Sequence, residues 1–330
     1  CTTWSMESLV HGLEGVLHLS AWQLGEAELG LAYARSDGQL RVARVMVKGE
    51  VLAVQSDVDV KGAWSADPPA LAVMPVDAER WGTSEVLAVL FRDSSGALLQ
   101  ASGPDASGPF HVLPVRDTQG REIAVGGGAS LLRLGTGELC GVLPDRDQHI
   151  RIYCHDPARD GWQDLTARAF HSGLGPKTAG LVGLAYHRHR HADGSLVSGD
   201  HTRGSLYLSF TEPESPAAKY PDNPHYYISE WLSAEHPARE ALSFRWRGRV
   251  IDEWTTLAPG TGLALYEDAS LSALKGLLLT KTSNPDVLKL DFLPFADGAH
   301  EAALGAGNDF EVMELGICEG LRGKGACGPR

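Results

Sequence analysis

His187, His189 and His191, at two-residue spacing with His201 shortly after, are the densest chemistry in the sequence. On a β-strand alternate residues share a face, so the three imidazoles line up and neighbours can hold one metal ion. His201 completes such a site by returning across the Asp193-Gly194 hairpin. The same spacing equally makes a solvated strand face on which His and Arg alternate. No Glu stands in an HExxH arrangement, so the cluster carries no hydrolytic signature. No cofactor is expected beyond a metal ion here.

A second cluster is aromatic. Tyr220, Tyr226, Tyr227 and Trp231 lie beside a segment rich in proline, with Pro213, Pro216, Pro221 and Pro224 denying it ladder hydrogen bonds. Exposed Tyr and Trp on a rigid scaffold suit partner or ligand contacts, to protein or sugar. Packing between sheets uses the same residue types. Carboxylates on expected hairpins, Asp145 with Asp147 and Glu267 with Asp268, lack the oxygen-ligand spacing of a Ca2+ loop. Gly127-Gly128-Ala129-Ser130 lacks the closing Gly of a nucleophile elbow. Phosphate-loop, dinucleotide and haem signatures are missing. A retaining glycosidase needs two carboxylates about 5 Å apart, a relation that spacing in sequence does not give. Arg133, Arg151, Arg203, Arg245 and Arg247 are scattered, and nothing gathers them around a substrate carboxylate. No catalytic residue is assigned.

Cys140 and Cys154 form one close-sequence pair and Cys318 and Cys327 another. Four cysteines allow three connectivities, and loop-closure entropy favours these local ones. In an oxidising compartment a loop of about 15 residues closed this way contributes about 3 kcal/mol. Buried free thiols in a cytosolic protein are the alternative. The absence of CxxC spacing argues against zinc. The remaining cysteine is Cys1. A chain that opens on Cys resembles a mature bacterial lipoprotein. That resemblance implies lipidation of Cys1, export, and a membrane anchor. Thr2 and Thr3 follow without an Asp at the second position, which in that family fits the outer membrane, facing the periplasm or the surface.

The formal net charge of −13 repels phosphate backbones, and no basic stripe reverses it locally, so nucleic acid is not an expected partner. No apolar run approaches the roughly 20 residues of a membrane-spanning helix.

The elements that must position these groups read as strands. Apolar or alternating runs recur at 29–33, 40–47, 86–91, 149–153, 204–210, 274–280 and 287–292. Ser36-Asp37-Gly38, Asp93-Ser94-Ser95-Gly96 and Asp193-Gly194 are tight-turn signals between them. Helical periodicity is weak, confined to 6–17 and 234–242. A repeat joins Trp22 and its following Gly30-Leu31-Ala32 to Trp254 and Gly262-Leu263-Ala264. Looser copies start from Trp81 and Trp162, and the Gly-Leu-Ala-like strands begin near 30, 86, 138, 183 and 262.

A period of about 40–50 residues with small apolar strands resembles β-propeller blades, with a sialidase-like or lectin-like Trp placement. The resemblance implies an all-β chain of six or seven four-stranded antiparallel blades; one or two β-sandwich domains are the alternative. The expected organisation is a lipid-anchored segment over 1–20 and a single propeller over 21–330, with a Pro-rich insertion near 211–225. The expected function is a non-catalytic binding or scaffolding subunit whose partners are other envelope or surface proteins. The alternative is a propeller that binds or hydrolyses glycans.

Overall fold

The structure is a computed structural model. It describes residues 10–11, 13, 15–48, 51–134, 137–170, 173–178 and 182–188, and the strand segments 204–211, 226–233, 245–249, 264–268, 273–281, 287–295 and 311–316. These form two compact units, one of residues 1–176 with 238–240 and one of 177–237 with 241–330.

In the first unit, β1 (Val10–His11), β2 (Val16–Gly25), β3 (Glu28–Arg35), β4 (Gln39–Lys48) and β5 (Val51–Trp64) make one sheet in the order β1-β5-β4-β3-β2. After β6 (Ala70–Pro75) comes a single helical turn, α1 (Ala78–Trp81). Strands β7 (Glu85–Arg92), β8 (Leu98–Gly103) and β9 (His111–Pro114) complete the second sheet in simple sequence order with β6. The third sheet, also in sequence order, holds β10 (Ser130–Arg133), β11 (Leu139–Pro144), β12 (Ile150–Asp156) and β13 (Gly161–Asp164), and is followed by the turn α2 (Thr166–Ala169).

The second unit repeats the plan. One sheet is β14 (Gly183–Arg188), β15 (Gly204–Thr211), β16 (Tyr226–Ser233) and β17 (Arg245–Arg249). The other is β18 (Ala264–Asp268), β19 (Ala273–Lys281), β20 (Val287–Phe295) and β21 (Glu311–Gly316). Among the described strands every pairing is antiparallel except that of β1 with β5. The fold is all-β and of the β-propeller class: four of the sheets are four-stranded antiparallel meanders, and the first adds β1 in parallel to such a meander. Five sheets lie among the described residues.

The second sheet shows how the sequence produces this packing. Ala72, Met74, Val86, Ala88 and Leu90 join Leu131, Leu139, Leu143 and Trp162 in a core against the third sheet. Their strand neighbours Leu71, Leu87, Val89, Phe91 and Ala101 join Ala32, Leu40, Val42 and Val60 in a core against the first sheet. Both faces of β7 are therefore covered, and Val86 through Phe91 are buried without a break. A strand buried on both faces reads as a continuous apolar run, as this one does.

The expected runs all fall on strands, from β3 to β20. The helical expectation over 6–17 is corrected: Val10–His11 and Val16–Gly25 are strands, because pairing with β5 and β3 satisfies their backbone groups. The 234–242 expectation lies outside the described residues. The short helix α1 has a readable signal instead. Asp77 caps it, its side chain accepting from the Glu79 N–H, and Gly82 closes it at φ 70°. Among the described residues no helix is long and apolar enough to cross a membrane.

Candidate functional site

On β8, Leu98, Gln100 and Ser102 alternate onto the face that meets the third sheet; Leu98 belongs to the shared core. The next strand sets Leu113 opposite Gln100 and His111 opposite Ser102. Across the interface, β12 and β13 pair His155 with Trp162. Moving outward along these strands, the apolar contact between the sheets gives way to polar side chains. There the sheets part into a cleft of 310 Å3, lined also by Arg80, Trp81, Arg116 and Asp160.

Each wall has a local cause. The Gln100 side-chain amide donates to the buried Ser102 hydroxyl at 2.8 Å, which fixes both side chains. The ring of His155, 2% exposed, stands 5.4 Å from that of Trp162 at a tilt of 60°. Trp162 itself is 3% exposed, while Trp81 and Tyr153 pack half-buried against the same core. Arg80, on α1, reaches Asp160 in the β12–β13 turn at 2.5 Å and closes one end of the cleft. Both partners are open to water, so this ion pair contributes about 0–1 kcal/mol and its members can be exchanged.

The other end is held by the chain leaving β9. The Trp162 N–H donates to the Arg116 carbonyl at 2.9 Å, and the Thr118 N–H donates to the Trp162 carbonyl at 3.2 Å. This strap passes so close to β13 that a Cβ on Gly161 would lie 3.0 Å from the Asp117 carbonyl oxygen. The strap turns on Asp117, whose Oδ1 accepts from the Gln119 and Arg121 N–H groups at 2.8 and 2.9 Å. Burial raises the Asp117 carboxyl, but the Arg121 N–H and guanidinium outweigh it and leave it below the ordinary value.

Two further turns are copies. Asp93 accepts from the Ser95 and Ala97 N–H groups, and Asp145 from those of Asp147 and His149. In both, burial pushes the carboxyl up and hydrogen bonds bring it below the ordinary value. The third residue after the Asp sits at positive φ in all three, as Gly96, Gly120 and Gln148. Behind the cleft, Cys140 and Cys154 are directly paired across β11–β12 and joined by a disulfide, Cα–Cα 4.1 Å, both buried. Burial, then the nearby Asp164, raises the Tyr153 hydroxyl to about 12.

Of the residues singled out from sequence, the Cys140–Cys154 pairing is present. The Asp145 carboxylate is engaged within its own turn and with Arg151. His187 lies in β14 opposite Ser205; in β16, Tyr226 faces Thr211, Tyr227 faces Phe210, and Trp231 faces Leu206 in the register with β15. Cys1, Cys318, Cys327, Tyr220, His189, His191 and His201 lie outside the described residues. Among the described residues no group of His, Cys, Asp and Glu could hold a metal ion. Sequence reasoning missed the cleft, although Trp81 and Trp162 carried a signal as copies of the repeated Trp. Those two tryptophans converge on it.

No protein-family model and no curated protein matches the chain. Solved structures similar to it include a thermostable family-43 glycoside hydrolase, 12% identical over 99% of each chain at a TM-score of 0.48. The α-L-arabinofuranosidase Arb93A from Fusarium graminearum is 11% identical over 93% of this chain and 95% of its own, TM-score 0.49. The six-bladed β-propeller lectin of Aleuria aurantia is 10% identical over 86% and 81%, TM-score 0.48. The likeness is one of fold. The expectation of a non-catalytic scaffolding subunit of an envelope assembly is corrected against these findings: the similar structures are named as glycoside hydrolases and a lectin.

Proposed function

We propose that this chain binds glycans, with the cleft between its second and third sheets as a binding site. The observation that carries the reading is the meeting of the half-buried Trp81 ring, backed by the buried Trp162 and His155, with the Gln100 amide, the His111 imidazole and two guanidiniums in one concave space. Sugars present both C–H faces and hydroxyl edges, and a site for them needs rings beside fixed donors and acceptors. The single carboxylate in the wall, Asp160, is engaged by Arg80. Cleavage with a carboxylate pair needs a second one within roughly 10 Å, so this cleft suits holding a sugar. The buried Cys140–Cys154 disulfide supports an exported, oxidising location, which is part of the proposal.

The test is calorimetric titration of the full chain with neutral and acidic oligosaccharides, beside the Trp81→Ala and Gln100→Ala variants. Saturable binding by the parent chain, weakened in both variants with their circular dichroism unchanged, is expected. Absence of binding to every oligosaccharide, or binding indifferent to both substitutions, rejects the cleft as a glycan site.

A further inference from the structure

Resting on the glycan reading, the geometry of the cleft leads to its ligand class: we propose that it takes an acidic saccharide bearing a carboxylate, as in a uronic acid unit. The chain as a whole is strongly acidic, at −13, yet the cleft reverses that balance. Its wall carries the guanidiniums of Arg80 and Arg116 against the one carboxylate of Asp160. A concave site with an excess of cationic groups in an otherwise acidic chain concentrates ligands of opposite, negative charge.

Both guanidiniums are exposed and each is held in an ion pair open to water. Arg80 is 61% exposed, and its bond to Asp160 is the kind of open ion pair that an incoming carboxylate can replace. Arg116 is 53% exposed and donates to the Gly120 carbonyl and to Glu122, which stands outside the cleft wall. Those contacts leave further N–H donors, since a guanidinium carries five in a planar fork. That fork matches a carboxylate with two parallel hydrogen bonds. The strap that positions Arg116 is bonded to Trp162 on the opposite wall, so the charged group and the ring are held in one frame. A uronic acid unit presents what this frame offers partners for: a carboxylate at one end of a ring whose face is apolar and whose edge bears hydroxyls.

The experiment titrates the full chain with an oligogalacturonate, a sulfated galactan oligosaccharide and a neutral oligosaccharide of equal length, at low and high salt. The carboxylated ligand is expected to bind at least about tenfold more tightly than the neutral one, the worth of one charged hydrogen bond, and to lose that margin with salt. The Arg80→Gln/Arg116→Gln double variant is expected to lose the margin, so that the carboxylated and neutral ligands bind with equal affinity. If that variant unfolds, the Arg80→Lys and Arg116→Lys variants, which keep charge but lose the fork, should weaken the carboxylated ligand more than the neutral one. Equal or tighter binding of the neutral ligand overturns this inference and leaves the glycan reading standing. A preference for the sulfated ligand, or a carboxylate preference indifferent to both arginines, also overturns it. No binding of any ligand removes both readings.

Discussion

Replacing Gly161 by alanine tests the frame of the cleft. Its Cβ would meet the Asp117 carbonyl oxygen at 3.0 Å, the Asp117 carbonyl carbon at 3.2 Å and the Thr118 Cα at 3.2 Å. All three are backbone, so no side-chain rotation relieves them, and the strap must retreat from β13 by a few tenths of an ångström. Two hydrogen bonds span that gap, Trp162 N–H to Arg116 and Thr118 N–H to Trp162. At about 0.5–1.5 kcal/mol each, weakening both costs about 1–3 kcal/mol. The lower entropy of an unfolded chain with Ala returns about 0.4–1 kcal/mol. A net local loss of about 1–2 kcal/mol follows. Amide hydrogen exchange reads it directly, because the Trp162 and Thr118 amides should exchange about tenfold faster. Glycan affinity should fall with it, since Trp162 and Arg116 move apart. Unchanged protection at both amides, or a gain in stability, refutes the claim that close approach of the strap holds the cleft.

Three other outcomes are expected. Removing the disulfide as Cys140→Ala/Cys154→Ala should cost about 3 kcal/mol by urea denaturation, the value for a loop of this length, and an unchanged midpoint would contradict it. Asp93, Asp117 and Asp145 titrate below the ordinary carboxylate range, so they contribute stability that is present above about pH 4 and lost as pH falls through their lowered values. Unfolding by acid, followed by circular dichroism, should therefore begin at higher pH in an Asp117→Asn/Asp145→Asn variant than in the parent chain. Tyr33 is raised to about 12 by burial and by hydrogen bonds to Asp57, so its contribution is complete below about pH 10 and lost as pH rises toward 12. Ultraviolet titration should show late tyrosinate formation from both Tyr33 and Tyr153, and Tyr33→Phe should remove only the Tyr33 share.

Much of the strand order could be read from residues, for physical reasons. β7 is a continuous apolar run because both of its faces are covered, and the Asp93 and Asp145 turns announce themselves by an Asp whose side chain serves its own loop. Cys140 and Cys154 are close enough in sequence for a hairpin to bring them opposite each other. The cleft is different in kind. Trp81, Gln100, His111, His155 and Trp162 come from five separate segments, and the packing of the second sheet on the third is what brings Trp81, Gln100 and His111 to His155 and Trp162. In sequence, His155 is one residue of an ordinary strand, whereas the conspicuous histidines at 187–191 drew the metal hypothesis. The Trp residues aligned as copies occupy different elements: Trp22 in β2, Trp81 in α1 and Trp162 in β13. Periodicity reports recurrence in the chain and does not say which part of a sheet recurs.

Because successive residues of β7 belong to different cores, that strand offers paired sensors of ligand occupancy. Isotope labels on Ala88 and Leu90 would sense Trp162 and Trp81 shifting as a sugar enters. Labels on Val89 and Phe91, one peptide bond away, look toward the first sheet and should stay silent. A nuclear-resonance response confined to every second position would locate the event on one side of a single strand.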